Sequence, residues 1–163
     1  MGKAVSMPVE PHPILLYDGV CGLCNRAVRF VLRHDRDARF RFAALQSRFA
    51  AEILSRHHLG SQSMETMVVV LHPAMPNEQL LVRSDGALYL LRNLAQPWPA
   101  LARLAALLPH AVRDAIYRFV ATWRYSIFGK YDSCPLPAPE VKRRFLDHDI
   151  PSNSSSAGAS YQE

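Results

Sequence analysis

The run Ile14-Leu15-Leu16-Tyr17-Asp18-Gly19-Val20-Cys21-Gly22-Leu23-Cys24 decides the fold. Its four apolar residues read as a buried strand, Asp-Gly is a turn dipeptide, and the cysteine pair falls where a helix begins. Beyond it, Cys24, Ala27, Val28 and Val31 share one helical face while Arg26, Arg29 and Arg33 take the other, which predicts a helix over 21–34 lying on a sheet. Residues i and i+3 of a helix are neighbours, so the two sulfurs can bond with little backbone movement. Cys21 stands at the first turn, where unpaired amides and the positive end of the helix dipole favour a thiolate, the nucleophilic form. Cys24, one turn further in and more covered, suits a resolving thiol. The spacing also serves as half of a zinc site, and two inert core cysteines are the third reading.

Outward from this motif, Arg39–Ala43 alternates polar and apolar residues as a second strand does, and 48–57 reads as a helix. Met67–Leu71 is a continuous branched apolar run expected of a central strand. The loop 72–78, with two prolines and an asparagine, returns the chain into a strand over Gln79–Arg83. Ser84 has the character of an N-cap and opens a helix through Leu94. The order β-α-β-α-β-β-α is α/β and thioredoxin-like. Two more helices are expected near Pro99–Leu107 and over His110–Phe128, the latter with Val112, Ala115, Ile116, Phe119, Val120 and Trp123 packing on the domain.

A chain of 163 residues holds one domain. The reading gives a flexible N-terminus over 1–12, the domain with its helical extension over 13–147, and a disordered Ser-rich tail over 148–163. Three cysteines make no disulfide scaffold and fit a reducing, cytoplasmic setting. No secretory signal and no run of about 18 apolar residues is visible. The net charge of +5 is spread along the chain without interleaved aromatics, a solvated surface with no nucleic-acid partner expected. No dinucleotide or P-loop fingerprint occurs, so no cofactor is expected, and electrons must come from an external thiol.

With these motifs placed, the chain resembles the DCC family of thiol-disulfide oxidoreductases, named for an aspartate and two cysteines, here Asp18, Cys21 and Cys24. The likeness extends through Phe42, Leu45-Gln46-Ser47, the 68–71 strand, and Ser84 with Ala87. It ends in Arg124-Tyr125, Phe128-Gly129-Lys130, Cys134, Pro137, Pro139-Glu140 and Arg144-Phe145-Leu146. It implies a thioredoxin-like fold and dithiol redox activity over about 13–147. Trp123 stands where family members often carry asparagine. Thioredoxins place a cis-proline before the central hairpin strand; here Thr66 takes that place.

The remaining site residues keep two readings each. Asp18 either accepts the Cys24 proton during resolution or simply bonds turn amides. Cys134 is a regulatory or second resolving thiol, or a packed small hydrophobe. Arg124 either supports a thiolate or pairs with a C-terminal carboxylate such as Glu140. Gly22 and Leu23 influence the reduction potential. The function expected is disulfide exchange with a disulfide- or thiol-containing protein or small molecule. The alternatives are a thioredoxin-like module docking a partner or membrane surface through its arginine-dotted apolar helices, with internal packing of those helices favoured, and a small zinc protein.

Overall fold

A computed structural model describes residues 12–59, 67–130 and 140–147. Strand β1 (Ile14–Tyr17) leads through the turn into α1 (Gly22–His34), and the chain returns as β2 (Arg41–Ala44), parallel to β1. After α2 (Arg48–Arg56) come β3 (Val68–Leu71) and β4 (Gln79–Val82), a hairpin whose first strand pairs antiparallel with β1. The order β2-β1-β3-β4, followed by α3 (Arg83–Arg92), is the thioredoxin-like arrangement.

The sheet is covered on both faces, which is why β1 and β3 read as unbroken apolar runs rather than alternations. Leu15, Tyr17, Phe42 and Val69 face α1 and α3, meeting Val28, Val31 and Leu90. Ile14, Leu16, Ala43, Val68 and Val70 face α2, meeting Ala50, Ile53 and Leu54. Strand β2 begins two residues later than the alternation predicts, because the buried Asp35 carboxylate accepts the amides of Arg39 and Phe40 at 3.1 and 3.0 Å. Those amides are then lost to the ladder.

Ser84 is not an N-cap. Helix α3 starts two residues earlier than that cap would place it, with Val82 in the cap position and no side-chain cap bond. The Ser84 hydroxyl donates instead to Asp114, on the last long helix.

Helices α4 (Trp98–Ala106) and α5 (His110–Phe128) follow; α4 packs on α3, and α5 lies across α1 and α3. The expected packing of the α5 apolar residues on the domain does not occur. Helix α5 turns a polar stripe inward: Arg113 pairs with Asp85 at 3.3 Å, Tyr117 accepts the Met67 amide at 3.1 Å, and Arg124 is buried. On α5, Val112, Ile116, Phe119, Val120, Trp123 and Ile127 stay exposed, as do Leu101 and Leu104 of α4, whereas Trp98 packs on Phe30 and His34 and Ala102 is buried. No helix among the described residues is long and apolar enough to cross a membrane.

The chain returns at 140–147 to cover the free edge of β2. Phe145 bridges Phe42, the Leu146 amide donates to the Phe42 carbonyl at 2.8 Å, and Asp147 accepts the Ala44 amide. Arg144 fastens this segment by donating to Asp35 and to the Phe40 carbonyl.

Candidate active site

The turn between β1 and α1 is held by side chains from both sides. Gln46 donates to Asp18 Oδ1 at 2.9 Å and accepts the Gly19 amide at 3.2 Å. Asn25, one turn into α1, donates to the carbonyls of Gly19 and Cys21 at 2.7 and 2.9 Å. Cys21 thus sits in extended backbone (φ −81°, ψ 123°) as the N-cap of α1. Its sulfur does what an N-cap oxygen usually does, accepting the Cys24 amide at 3.4 Å.

Both cysteines are free thiols in contact across this first turn. Burial, the hydrogen bond to Cys21 and the charge of that sulfur push the Cys24 thiol up to about 12. The cation of Arg124 pulls it the other way, and the Asp18 charge adds to the rise. Cys24 is therefore held protonated at neutral pH.

The expected exposure of the pair is reversed: Cys21 is 0% exposed, and Cys24, at 9%, is the more open. The cause is the arm Phe128–Lys130 that leaves α5. Gly129 ends the helix at φ 74°, a conformation that favours glycine. Its carbonyl then accepts the Gly22 amide at 3.1 Å while Lys130 forms an antiparallel bridge with Cys21. The contact is so close that a Cβ on Gly22 would lie 2.0 Å from the Phe128 carbonyl oxygen. Glycine at this position is a condition of the cover.

Asp18, 3% exposed, makes the turn bond that one of its two readings expects. Oδ1 accepts the Val20 amide at 3.1 Å, as a turn residue does, together with Gln46. Oδ2 accepts the Tyr125 hydroxyl, which in turn accepts from Arg124 Nη2 at 3.0 Å. Arg124 Nη2 itself stands 3.7 Å from Asp18 Oδ2. The buried guanidinium thus faces the dithiol loop and not Glu140, which is exposed. Burial opposes the Arg124 charge, but the bond to Tyr125 and the charges of Tyr125 and the two sulfurs hold its pKa above the usual value. Burial raises the Tyr125 phenol, and its bond to Asp18 raises it further.

Tyr125, Asn25 and Gln46 were given no role on sequence grounds. Tyr125 and Gln46 each carry one signal, their places in Arg124-Tyr125 and Leu45-Gln46-Ser47 of the family likeness. Thr66 and Cys134 lie outside the described residues. Among the described residues no three His, Cys, Asp or Glu side chains gather as metal ligands.

Comparison with known proteins places these residues in context. A family model described as DCC1-like thiol-disulfide oxidoreductase matches residues 15–130. The uncharacterized protein YuxK of Bacillus subtilis is 37% identical over 136 residues, covering 83% of this chain and 95% of the relative. A chloroplastic DCC family protein of Arabidopsis thaliana is 38% identical over 127 residues, 78% of this chain and 71% of the relative. No solved structure matches the chain at a significant level.

Proposed function

The chain belongs to the DCC1-like thiol-disulfide oxidoreductase family, and from that premise we propose that it reduces or forms disulfides through the Cys21–Cys24 couple. The observation that carries the reading is the thiol contact at the α1 N-terminus, with the Cys21 sulfur as cap and the Cys24 proton directed at it.

In the reducing direction, the Cys21 thiolate attacks one sulfur of a substrate disulfide. The substrate S–S bond breaks, a Cys21–substrate disulfide forms, and the first substrate sulfur leaves as a thiolate and takes a proton. Cys24 then attacks Cys21, releasing the second substrate thiol and leaving Cys21–Cys24 oxidised. Two electrons pass to the substrate, and an external thiol pool returns them.

Resolution requires that Cys24 lose its proton. Asp18 is the acceptor: Oδ1 is occupied by two donors, whereas Oδ2 holds one full hydrogen bond and keeps a lone pair. As the proton moves, the negative charge passes from Asp18 to the Cys24 sulfur, and the Arg124 cation favours it there. Attack on Cys21 also requires the arm Phe128–Lys130 to lift, since it leaves that sulfur no exposed surface. The substrate is a disulfide- or thiol-containing protein or small molecule, and the setting is a reducing cytoplasm.

The test is dithiothreitol-driven reduction of glutathione disulfide by the native chain. Cys21→Ser drops turnover to the uncatalysed background, while Cys24→Ser accumulates a mixed disulfide on Cys21 visible by mass spectrometry. Retention of activity by Cys21→Ser would overturn the assignment.

A further inference from the structure

Helix α5 carries two stripes that serve different neighbours. Residues 113, 117, 121, 124 and 128, spaced by three and four, face the domain and are mostly polar. A separate stripe, Val112, Ile116, Phe119, Val120, Trp123 and Ile127, remains 42 to 67% exposed. It runs about 22 Å along the helix at 1.5 Å per residue. Helix α4 and the turn after it add Leu101, Leu104, Leu107 and Leu108, up to 80% exposed. A soluble monomer rarely presents so many large apolar side chains along one stretch.

The charges of the same stretch are one-sided. Between Trp98 and Lys130 the sequence holds four arginines and a lysine against a single acid, Asp114. Asp114 is spent inward on Ser84 and Arg83, and Arg113 and Arg124 are likewise engaged with the domain. Arg103, Arg118 and Lys130 remain exposed.

We propose that α4 and α5 form a peripheral docking surface for an anionic lipid bilayer, lying in the headgroup interface without crossing it. Leucine, phenylalanine and tryptophan enter the acyl boundary, and the exposed cations draw the domain electrostatically to the anionic surface. A second copy docked through this stripe about a two-fold axis would bring equal sets of cations together, with no free acid to offset them. The stripe also offers no hydrogen-bonding side chain apart from the Trp123 indole to fix register, whereas a protein interface carries about one hydrogen bond per 100–200 Å². A fluid surface needs none. Because α5 ends in the arm over Cys21, the docked face terminates beside the dithiol. The inference itself is independent of redox activity.

The test is co-sedimentation of the full reduced chain with vesicles of phosphatidylcholine alone or with about 30% phosphatidylglycerol, at low and high salt. The expected result is binding to the anionic vesicles only, weakened by salt, with a blue shift of tryptophan emission that is lost in Trp123→Phe. Phe119→Glu with Trp123→Glu, and separately Arg103→Glu with Arg118→Glu, each weaken binding by about tenfold or more. The thermal melts of both doubles stay near that of the parent, since these side chains make few contacts with the domain. Absence of binding overturns the proposal, as does undiminished binding by the Phe119→Glu/Trp123→Glu protein. A dimer in light scattering that this double variant dissociates assigns the face to self-association and equally overturns it.

Discussion

At the scale of single residues, the site is a short relay in which Tyr125 links the Asp18 carboxylate to the Arg124 guanidinium. Tyr125→Phe removes one charge-assisted hydrogen bond to each partner while the ring stays in place. The expected cost is about 1.5–3 kcal/mol of stability in urea unfolding. Turnover in glutathione disulfide reduction falls, and its pH profile shifts, because Asp18 loses the donor that orients Oδ2; a purely structural role would leave the profile where it was. Cys21, Cys24 and Asp18 are legible from sequence because strand, turn and helix start fix their mutual positions within seven residues. Tyr125 and the true partner of Arg124 are not, since 107 positions separate Tyr125 from Asp18 and only the folded path of α5 joins them.

Secondary-structure elements show the same division. Strands β1 and β3 were readable because burial on both faces leaves a continuous apolar run, β2 from its alternation, and α1 from its stripe. The stripe of α5 was equally plain, yet periodicity reports that an apolar face exists without saying what lies against it. Two expectations belong to this scale. Gly22→Ala drives a methyl group into the Phe128 carbonyl, so the arm must shift and Cys21 gains exposure. Iodoacetamide should then alkylate Cys21 faster than in the parent, measured by peptide mass spectrometry. The second concerns the C-terminal segment, where Asp35 is buried beneath Arg144. Arg144→Met leaves that carboxylate with backbone amides alone and should lower the unfolding free energy by about 3–5 kcal/mol, measured by chemical denaturation.

For the whole molecule, the raised thiol of Cys24 ties stability to pH. The folded protein keeps this proton up to about pH 12, whereas the unfolded chain releases it near the ordinary value of 9.0. Between those limits the native state binds more protons, so stability is full below the unfolded value and falls as pH rises through the window. The raised phenols of Tyr89 and Tyr125 act in the same direction. The melting temperature of the reduced protein should therefore decline across about pH 9–11, and Cys24→Ser should make the decline shallower without abolishing it.

The tight fit of Gly22 against the Phe128 carbonyl constrains any attempt to retune this couple. Redox engineering commonly varies the two letters between the cysteines, but here the first letter is locked by a neighbouring main chain and only Leu23, half-buried, is open to choice. A library built on both positions would confound electrochemistry with unveiling of Cys21; one restricted to Leu23 would separate them.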